Sequence, residues 1–169
     1  STAMGYYTTA SGPYSTAMGY YTTASASRST AMGSGTIASG NNSTATGYFT
    51  TASGNKTTAM GANTTASDYA SLVIGQYNSS GSSATSATSF STSNTAFVIG
   101  NGTDSSNKSD AFKVMFNGDT TVSNDLTVSG DVVISSDARL KSNIVSLGST
   151  LPKLLQIDGK SYEMKGKQK

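Results

Sequence analysis

The sequence predicts an all-β chain that begins as a parallel β-roll, and two observations carry this prediction. A seven-residue unit, approximately (Ser/Thr)-Thr-Ala-x-Gly-x-x, recurs from Ser1 to Tyr77, and alternate copies differ at their fourth place, so the true period is fourteen residues. Thr-rich segments punctuated by glycine are typical of short strands and turns. Stacked copies of one small unit form a rod whose core runs along its axis.

The fourth place of each half-unit assigns the two strands of a turn to different environments. It holds Met4, Met18, Met32, Thr46, Met60 and Ile74 in the first half, and Ser11, Ser25, Ser39, Ser53 and Ser67 in the second. One strand of each turn is therefore predicted to face an apolar surface and the other to face water. A coiled coil would require large apolar residues on strong helix formers, which this unit lacks, so helix is excluded here.

Alanine and glycine predict the geometry of one coil. Alanine fills the third place of every half-unit from Ala3 to Ala66, which predicts two strands so close that only a methyl group fits between them. The glycine at the fifth place is expected to permit the reversal that closes each half-turn. Such coils would stack through backbone hydrogen bonds at about 4.8 Å.

The composition excludes several classes of function. Only 12% of the residues are charged, and the net charge of +2 argues against a nucleic-acid binder. Without cysteine or histidine, disulfides, imidazole catalysis and most zinc sites are excluded, and we expect no metal and no cofactor. No signal peptide or membrane-spanning apolar run is present, so we expect no membrane insertion. Because residue 1 starts a repeat, we expect a fragment of a longer protein.

The methionine positions predict association of three chains. An interior of alanine alone is too thin to stabilise a coil, because small units bury little surface. Three chains around one axis would share a core built from Met4, Met18, Met32, Met60 and Ile74. The alternative is that these residues fill the inside of a wider roll made by a single chain.

The half-repeats (Ser/Thr)-x-Ala-x-Gly over residues 1–77 resemble the head of YadA-type trimeric autotransporter adhesins. This resemblance implies a left-handed parallel β-roll in which three chains pack side by side. The sequence departs from that family by placing Met where Ile or Val is common, and by its regular Thr. The departures leave the adhesive partner open.

Two features of the surface allow functional interpretations. Aromatic residues gather at the turns, namely Tyr6, Tyr7, Tyr14, Tyr20, Tyr21, Tyr48, Phe49, Tyr69 and Tyr77. Stacked from coil to coil, they would hold sugars or simply stabilise successive turns; Tyr6, Tyr7, Tyr20, Tyr21, Tyr48 and Phe49 are the candidate binding residues. A hydroxyl column of Thr9, Thr23, Thr51 and Thr65, broken by Ile37, would order ice or be an ordinary solvated β face.

The repeat ends at Tyr77, and three further segments are predicted. Residues 78–100 are expected to form a long loop or degenerate coil and then the coil that closes the rod. Residues 101–135 predict a β-rich trimeric neck, with an Asn117-Gly118 turn between two strands and a further alternating strand from Leu126 to Ile134. From Ser136 a cap precedes leucines spaced at three and four, which predicts a short helical segment interrupted at Pro152.

The run Ser136-Asp137-Ala138-Arg139-Leu140-Lys141-Ser142-Asn143-Ile144 and the Leu-rich segment after it resemble the start of the intramolecular chaperone domain of endosialidase-type phage tail spikes and fibres. The resemblance implies a domain, covering residues 136–169, that drives trimerisation and then cleaves itself off before a serine. By position the serine is Ser136 and the base is Lys141, a Ser-Lys dyad. Read from the residues alone, Ser136 and Asp137 are a helix cap.

Together these features predict an extracellular homotrimeric fibre that binds a receptor, either a glycan or a protein on a cell surface. It would be a tail fibre of a phage or phage-like particle, or a bacterial surface adhesin. No catalytic constellation is present in residues 1–135, so we expect a structural protein rather than an enzyme. The alternatives are self-cleavage at Ser136 as the main activity, and an ice- or surface-binding β-solenoid.

Overall fold

The computed structural model describes residues 1–132, and the helical segment predicted from Ser136 lies outside them. Residues 1–127 form one compact unit and a second begins at Val128. In chain order, the strands are β1 (Thr2–Tyr6), β2 (Thr9–Ala10), β3 (Thr16–Tyr20), β4 (Thr23–Ala24), β5 (Thr30–Ser34), β6 (Ile37–Ala38), β7 (Thr44–Tyr48), β8 (Thr51–Ala52), β9 (Thr58–Ala62), β10 (Thr65–Ala66), β11 (Leu72–Gln76), β12 (Thr95–Asn101), β13 (Asp110–Met115) and β14 (Thr120–Val122). Residues 1–132 contain no helix.

The strands form two sheets, and each coil of fourteen residues contributes one strand to each sheet. The larger sheet has the order β1-β3-β5-β7-β9-β11-β12-β13-β14, and the smaller sheet has the order β10-β8-β6-β4-β2. Successive coils pair in parallel and in register, so that Met4 lies beside Met18 and Ala10 beside Ala24. The predicted parallel β-roll is confirmed.

The interior between the sheets is a column of alanines. Ala17, Ala24, Ala31, Ala38, Ala45, Ala52, Ala59 and Ala66 are fully buried, and Val73 and Val98 continue the column. The prediction that only a methyl group separates the strands is therefore correct.

Small hydroxyl side chains line the same interior at the corners of each coil, which the sequence did not reveal. Thr22, Thr36, Thr50 and Thr64 are fully buried, as is Ser29 on the other corner. The Ser29 hydroxyl donates to the carbonyl oxygen of Ala26 at 2.7 Å. The hydroxyls of Thr22, Thr36, Thr50 and Thr64 have no hydrogen-bond partner within residues 1–132. Burying an unpaired hydroxyl is costly, so the turn contact offsets that cost at Ser29 and not at the threonine corner.

In the first half of each unit the fifth-place glycines lie inside strands and not at the reversals, which corrects the expectation from the sequence. In the second half Gly12, Gly40 and Gly54 do lie at the turns, as expected. Gly19 and Gly33 have φ angles of +125° and +121°. A Cβ atom on Gly33 would lie 2.0 Å from the carbonyl oxygen of Gly47 in the next coil. The reversals fall at the seventh and fourteenth places, where Tyr21 and Arg28 adopt φ angles of +53° and +55°.

Residues 78–94 form a degenerate coil that ends the smaller sheet. The Asn78 side chain takes the place of the next strand, because its Oδ1 accepts from the Thr65 N–H at 2.8 Å and its Nδ2 donates to the Thr65 carbonyl at 2.9 Å. Backbone bonds of the preceding coil also continue into this segment, as from the Tyr69 N–H to the Ser86 carbonyl at 2.8 Å. Of the two alternatives, loop or degenerate coil, the second describes the segment better.

The buried carboxylate of Asp68 anchors this degenerate coil. It accepts hydrogen bonds from the backbone N–H of Thr85 at 2.6 Å and from that of Thr95 at 2.8 Å. Charge-assisted bonds of this kind are stronger than neutral ones. Strand β12 then resumes the parallel register, with Ile99 beside Ile74.

The sheet ends in an antiparallel hairpin. Strand β12 pairs with β13, and β13 pairs with β14 through Phe112 and Val122. The turn between β13 and β14 contains Gly118 with a φ angle of +94°. The hairpin predicted around Asn117-Gly118 is confirmed.

The strand predicted from Leu126 onward is absent from the described part, residues 126–132. Leu126 is 70% exposed and Val132 is 65% exposed. Alternating apolar residues form a strand only when a neighbour pairs with it, and residues 1–132 provide no such neighbour for this segment. The boundaries of the shaft at 77, the closing coil at 100 and the neck at 135 stay predictions.

Candidate assembly and binding surfaces

The methionine column lies on the outer face of the larger sheet. Because side chains alternate along a strand, the buried Ala17 and Ala31 place Met18 and Met32 on the opposite face. Met18 and Met32 are half-buried, whereas Met4 is 59% exposed and Met60 41% exposed. The structure therefore contradicts the alternative in which these residues fill the interior of a wider single-chain roll.

The whole outer face of the coils in the larger sheet is uncharged. Its three columns hold Thr2, Thr16, Thr30, Thr44, Thr58 and Leu72, then the methionine column, then Tyr6, Tyr20, Ser34, Tyr48, Ala62 and Gln76. The charged residues of the first 77 positions, Arg28, Lys56 and Asp68, belong to the turns after the shorter strands. The methionine column is apolar except at Thr46, and an exposed apolar surface without charge marks an interaction surface.

Tyrosines stack in two columns at the turn after the longer strands. The Tyr6 and Tyr20 rings lie 5.4 Å apart and nearly parallel, and the Tyr7 and Tyr21 rings lie 4.9 Å apart in the same manner. Within one coil the rings meet edge to face, as Tyr20 and Tyr21 do at 4.6 Å. Such pairs stabilise successive coils by about 0.5–1.5 kcal/mol each.

The ladder of rings is interrupted in the third coil, where Ser34 and Gly35 replace the two aromatics. It resumes with Tyr48 and Phe49, whose rings meet edge to face at 4.6 Å. The predicted aromatic residues therefore form two separate clusters with a gap between them.

The hydroxyl column lies on the outer face of the smaller sheet. Thr9 pairs with Thr23, and Thr51 pairs with Thr65. Ile37 sits between them in register and is 43% exposed. The array is a short, interrupted strip, and no feature of the strip singles out ice.

The turns after the shorter strands carry polar and cationic contacts that sequence reasoning missed. The Lys56 ammonium lies 5.0 Å from the centre of the Tyr69 ring, and the Arg28 guanidinium lies 5.9 Å from that of Tyr14. The side-chain carbonyl of Asn55 accepts a hydrogen bond from the backbone N–H of Asn41, in the preceding coil, at 2.9 Å. These contacts could have been predicted from the sequence separation of the partners, because residues thirteen or fourteen positions apart lie next to each other in neighbouring coils.

The predicted Ser136 and Lys141 lie outside the described residues. Within residues 1–132 no three His, Cys, Asp or Glu side chains come together as a metal site would require. The pKa of Asp104 lies below its ordinary value because the Asn107 side chain and the Ser106 N–H donate hydrogen bonds to the carboxylate. That carboxylate stabilises a turn. No helix in the described part is long and apolar enough to span a membrane.

Comparison with known sequence families decides the nature of the roll. Residues 1–22, 24–50 and 52–78 match the YadA head domain repeat (2 copies). Residues 1–78 are YadA head repeats. Residues 136–169 match the family described as chaperone of endosialidase. Both resemblances predicted from the sequence are confirmed. Neither the curated proteins nor the solved structures give a match.

YadA head repeats and an endosialidase chaperone domain in one chain support a trimeric protein of the adhesin or tail-fibre type. The two families imply assembly as a homotrimer and suggest a surface-exposed or extracellular place. Both families suggest a structural protein, and the chaperone domain is the part that hints at autoproteolysis.

Proposed function

We propose that this chain is the subunit of a homotrimeric fibre that attaches a phage, a phage-like particle or a bacterial surface to a receptor on a cell. The YadA head repeats of residues 1–77 serve as its shaft, residues 78–100 close the shaft, residues 101–135 form the trimeric neck, and residues 136–169 begin the chaperone domain. Three outer faces of the larger sheet meet around the axis along the methionine column in this assembly, and the column that runs from Tyr6 to Gln76 lies at the rim of the contact.

The observation that carries the proposal is the methionine column on the outside of a roll whose own core is alanine. Fully burying a large apolar side chain such as methionine contributes about 1.5–3 kcal/mol. A core of alanines gives little of this stabilisation within one chain. Association through the column would bury Met4, Met18, Met32, Met60 and Ile74 together.

The neck supplies a second, separate support. Leu126, Val128 and Val132 are exposed in the single chain at 70%, 46% and 65%. Their alternation suits a strand that finds no partner among the described residues of its own chain. In the proposed fibre a neighbouring chain provides that partner.

Cysteine labelling tests whether the outer face of the larger sheet is covered in the assembly, and it does not require the receptor to be known. Because the chain has no cysteine, Met60→Cys introduces a single thiol on the proposed shared face, and Ser39→Cys introduces one on the smaller sheet. Both positions are exposed in the single chain. We expect a maleimide to label Met60→Cys at least about ten-fold more slowly than Ser39→Cys, because association closes that face.

The two variants must label at equal rates in denaturant, which controls for the intrinsic reactivity of the thiols. Equal rates in the native protein would show that the face is open, and the proposed assembly would be wrong.

A second function, self-cleavage, is favoured by the chaperone match over residues 136–169. We propose that the Ser136 hydroxyl attacks the carbonyl carbon of Ser135 while Lys141 takes the hydroxyl proton. The acyl group moves from the Ser136 nitrogen, which leaves as the new amino terminus, to the hydroxyl oxygen. Water then hydrolyses the ester and restores the free hydroxyl.

Mass spectrometry of the full-length protein tests this chemistry. We expect a fragment that ends at Ser135, and we expect Ser136→Ala and Lys141→Ala to abolish it. Ser135→Ala is the matched control and should still be cleaved, because residue 135 contributes only its backbone carbonyl to the reaction. An uncleaved parent, or cleavage that survives Ser136→Ala, would exclude this mechanism.

A further inference from the structure

The gap in the aromatic ladder is a cavity of about 460 Å³ that opens at the third coil. Its walls are the rings of Tyr20 and Tyr21 on one side and of Phe49 on the other. The Phe49 ring leans toward Gly35, since a Cβ atom there would lie 2.8 Å from the ring. We call this cavity the third-coil slot.

Three departures from the repeat meet in the third-coil slot. Tyr20 and Tyr21 of the second coil are followed one period later by Ser34 and Gly35, which removes both rings. In the same coil Ile37 replaces the threonine of the hydroxyl column and lines the slot beside Thr23. Ser34 and Gly35 open the space, and Ile37 makes one side of it apolar.

The spacing of the coils makes the slot one ring deep. Where the ladder is complete, stacked rings lie 4.9 and 5.4 Å apart. Omitting one coil leaves about 10 Å between the backbones of the flanking coils, twice the strand spacing. The Phe49 ring leans into part of this gap over Gly35, so the open space of about 460 Å³ lies toward the Tyr20 and Tyr21 rings, where a ring can stack.

The lining groups limit the chemistry of the occupant. No charged side chain lines the slot, so an ionic ligand gains no partner there. The walls are flat and apolar, whereas the Thr23 and Ser34 hydroxyls at the edge can donate and accept hydrogen bonds. A sugar ring in its pyranose form combines apolar C–H faces with hydroxyls around its rim.

We propose that the third-coil slot binds one neutral pyranose residue of a glycan, stacked between the Tyr21 and Phe49 rings. The sugar takes the place of the missing aromatic step, its rim hydroxyls meet Thr23 and Ser34, and a methyl or acetyl substituent rests on Ile37. This inference rests on the proposed receptor-binding role and names the class of its receptor.

Restoring the ladder is the sharpest test, because it fills the slot with residues that the repeat already accepts. The double variant Ser34→Tyr/Gly35→Tyr copies the Tyr20-Tyr21 pair. Gly35 has a φ angle of +64°, and Tyr21 adopts +53° at the same place. The backbone therefore accepts this variant, but a Cβ atom on Gly35 would lie 2.8 Å from the Phe49 ring, so that ring has to turn back toward its own coil. Circular dichroism and sedimentation must first show that the variant folds and assembles as the parent does, and Tyr21→Ala tests the slot independently.

Saturation-transfer NMR on the full chain would measure binding of glucose, galactose, mannose, N-acetylglucosamine and fucose. We expect signal transfer to ring protons of at least one sugar, and an affinity at least about ten-fold lower for Ser34→Tyr/Gly35→Tyr and for Tyr21→Ala. Tyr7→Ala removes a ring of the same ladder outside the slot and should bind as the parent does.

Two outcomes would overturn the slot proposal. One is the absence of transfer to any of these sugars, including the case in which N-acetyl-phenylalaninamide binds instead and points to a protein partner. The other is sugar binding that is unchanged in the double variant. Sedimentation of the same samples separates the two proposals: a trimer without sugar binding overturns the slot alone, and a monomer that binds sugar overturns the fibre alone.

Discussion

Replacing Gly33 with alanine is expected to destabilise the roll by at least about 3 kcal/mol, because the new methyl group has no space. Its Cβ atom would lie 2.0 Å from the Gly47 carbonyl oxygen, which belongs to the backbone of the next coil. The φ angle of +121° adds strain for any residue with a side chain. Moving the backbone would break the parallel ladder on both sides.

Urea unfolding at fixed chain concentration measures this effect, and Gly130→Ala is the control. A Cβ atom on Gly130 would meet nothing within 4 Å, so the control should unfold with the parent. A change of less than about 0.5 kcal/mol for Gly33→Ala, the size of an ordinary surface substitution, would show that the coils are not packed as described.

Met18→Asp is expected to dissociate the trimer and to leave separate rolls that are less stable than the trimer, because an alanine core gives little stabilisation by itself. The change places a carboxylate near the middle of the methionine column, and an unpaired charge buried at an interface costs several kcal/mol. Three copies meet around the axis, so we expect the concentration at half-dissociation to rise at least about a thousand-fold, or about 4 kcal/mol. The roll itself keeps its alanine core, because Met18 lies outside it.

Ser25→Asp is the matched control for this variant. It lies in the same coil, on the side of the smaller sheet, and is exposed. Sedimentation should find it trimeric at concentrations where Met18→Asp is monomeric, and circular dichroism should show both folded. Equal behaviour of the two variants would mean that neither sheet is preferred for assembly.

The period of fourteen residues was sufficient to predict the register and the core. Once coils stack, residues fourteen apart become neighbours, so the pairing of Met4 with Met18 and the column from Ala17 to Ala66 follow directly. The side of the sheet that carries the methionines also follows from alternation along the strand. The homotrimer implied by the two families agrees with that placement.

The glycine prediction failed for the first half of the unit because a sequence does not distinguish two uses of glycine. A glycine in a turn and a glycine needed for close backbone approach look alike, and here the tight turns are formed by Tyr21, Arg28 and similar residues with positive φ angles. The difference in how strictly glycine is kept could have distinguished the two uses. The twelfth place of the unit accepts Ala26 and Asp68, whereas the fifth place holds glycine in each coil from Gly5 to Gly75.

The degenerate coil and the third-coil slot were beyond sequence reasoning for another reason. Asn78 and Asp68 replace backbone pairing with side-chain hydrogen bonds, and no periodic pattern encodes that exchange. The slot exists because Gly35 has no side chain, and its shape depends on the aromatic rings of the neighbouring coils. The strand predicted after Leu126 has the right alternation but no partner within the part of the chain that the structure describes.

The mass of the intact chain in solution tests the shared methionine face most directly. Sedimentation equilibrium on the chain kept uncleaved by Ser136→Ala should give three times the 17.2 kDa of one subunit, at concentrations well below those used for structural work. A particle of 17.2 kDa under the same conditions would leave the methionine column in water and contradict the account.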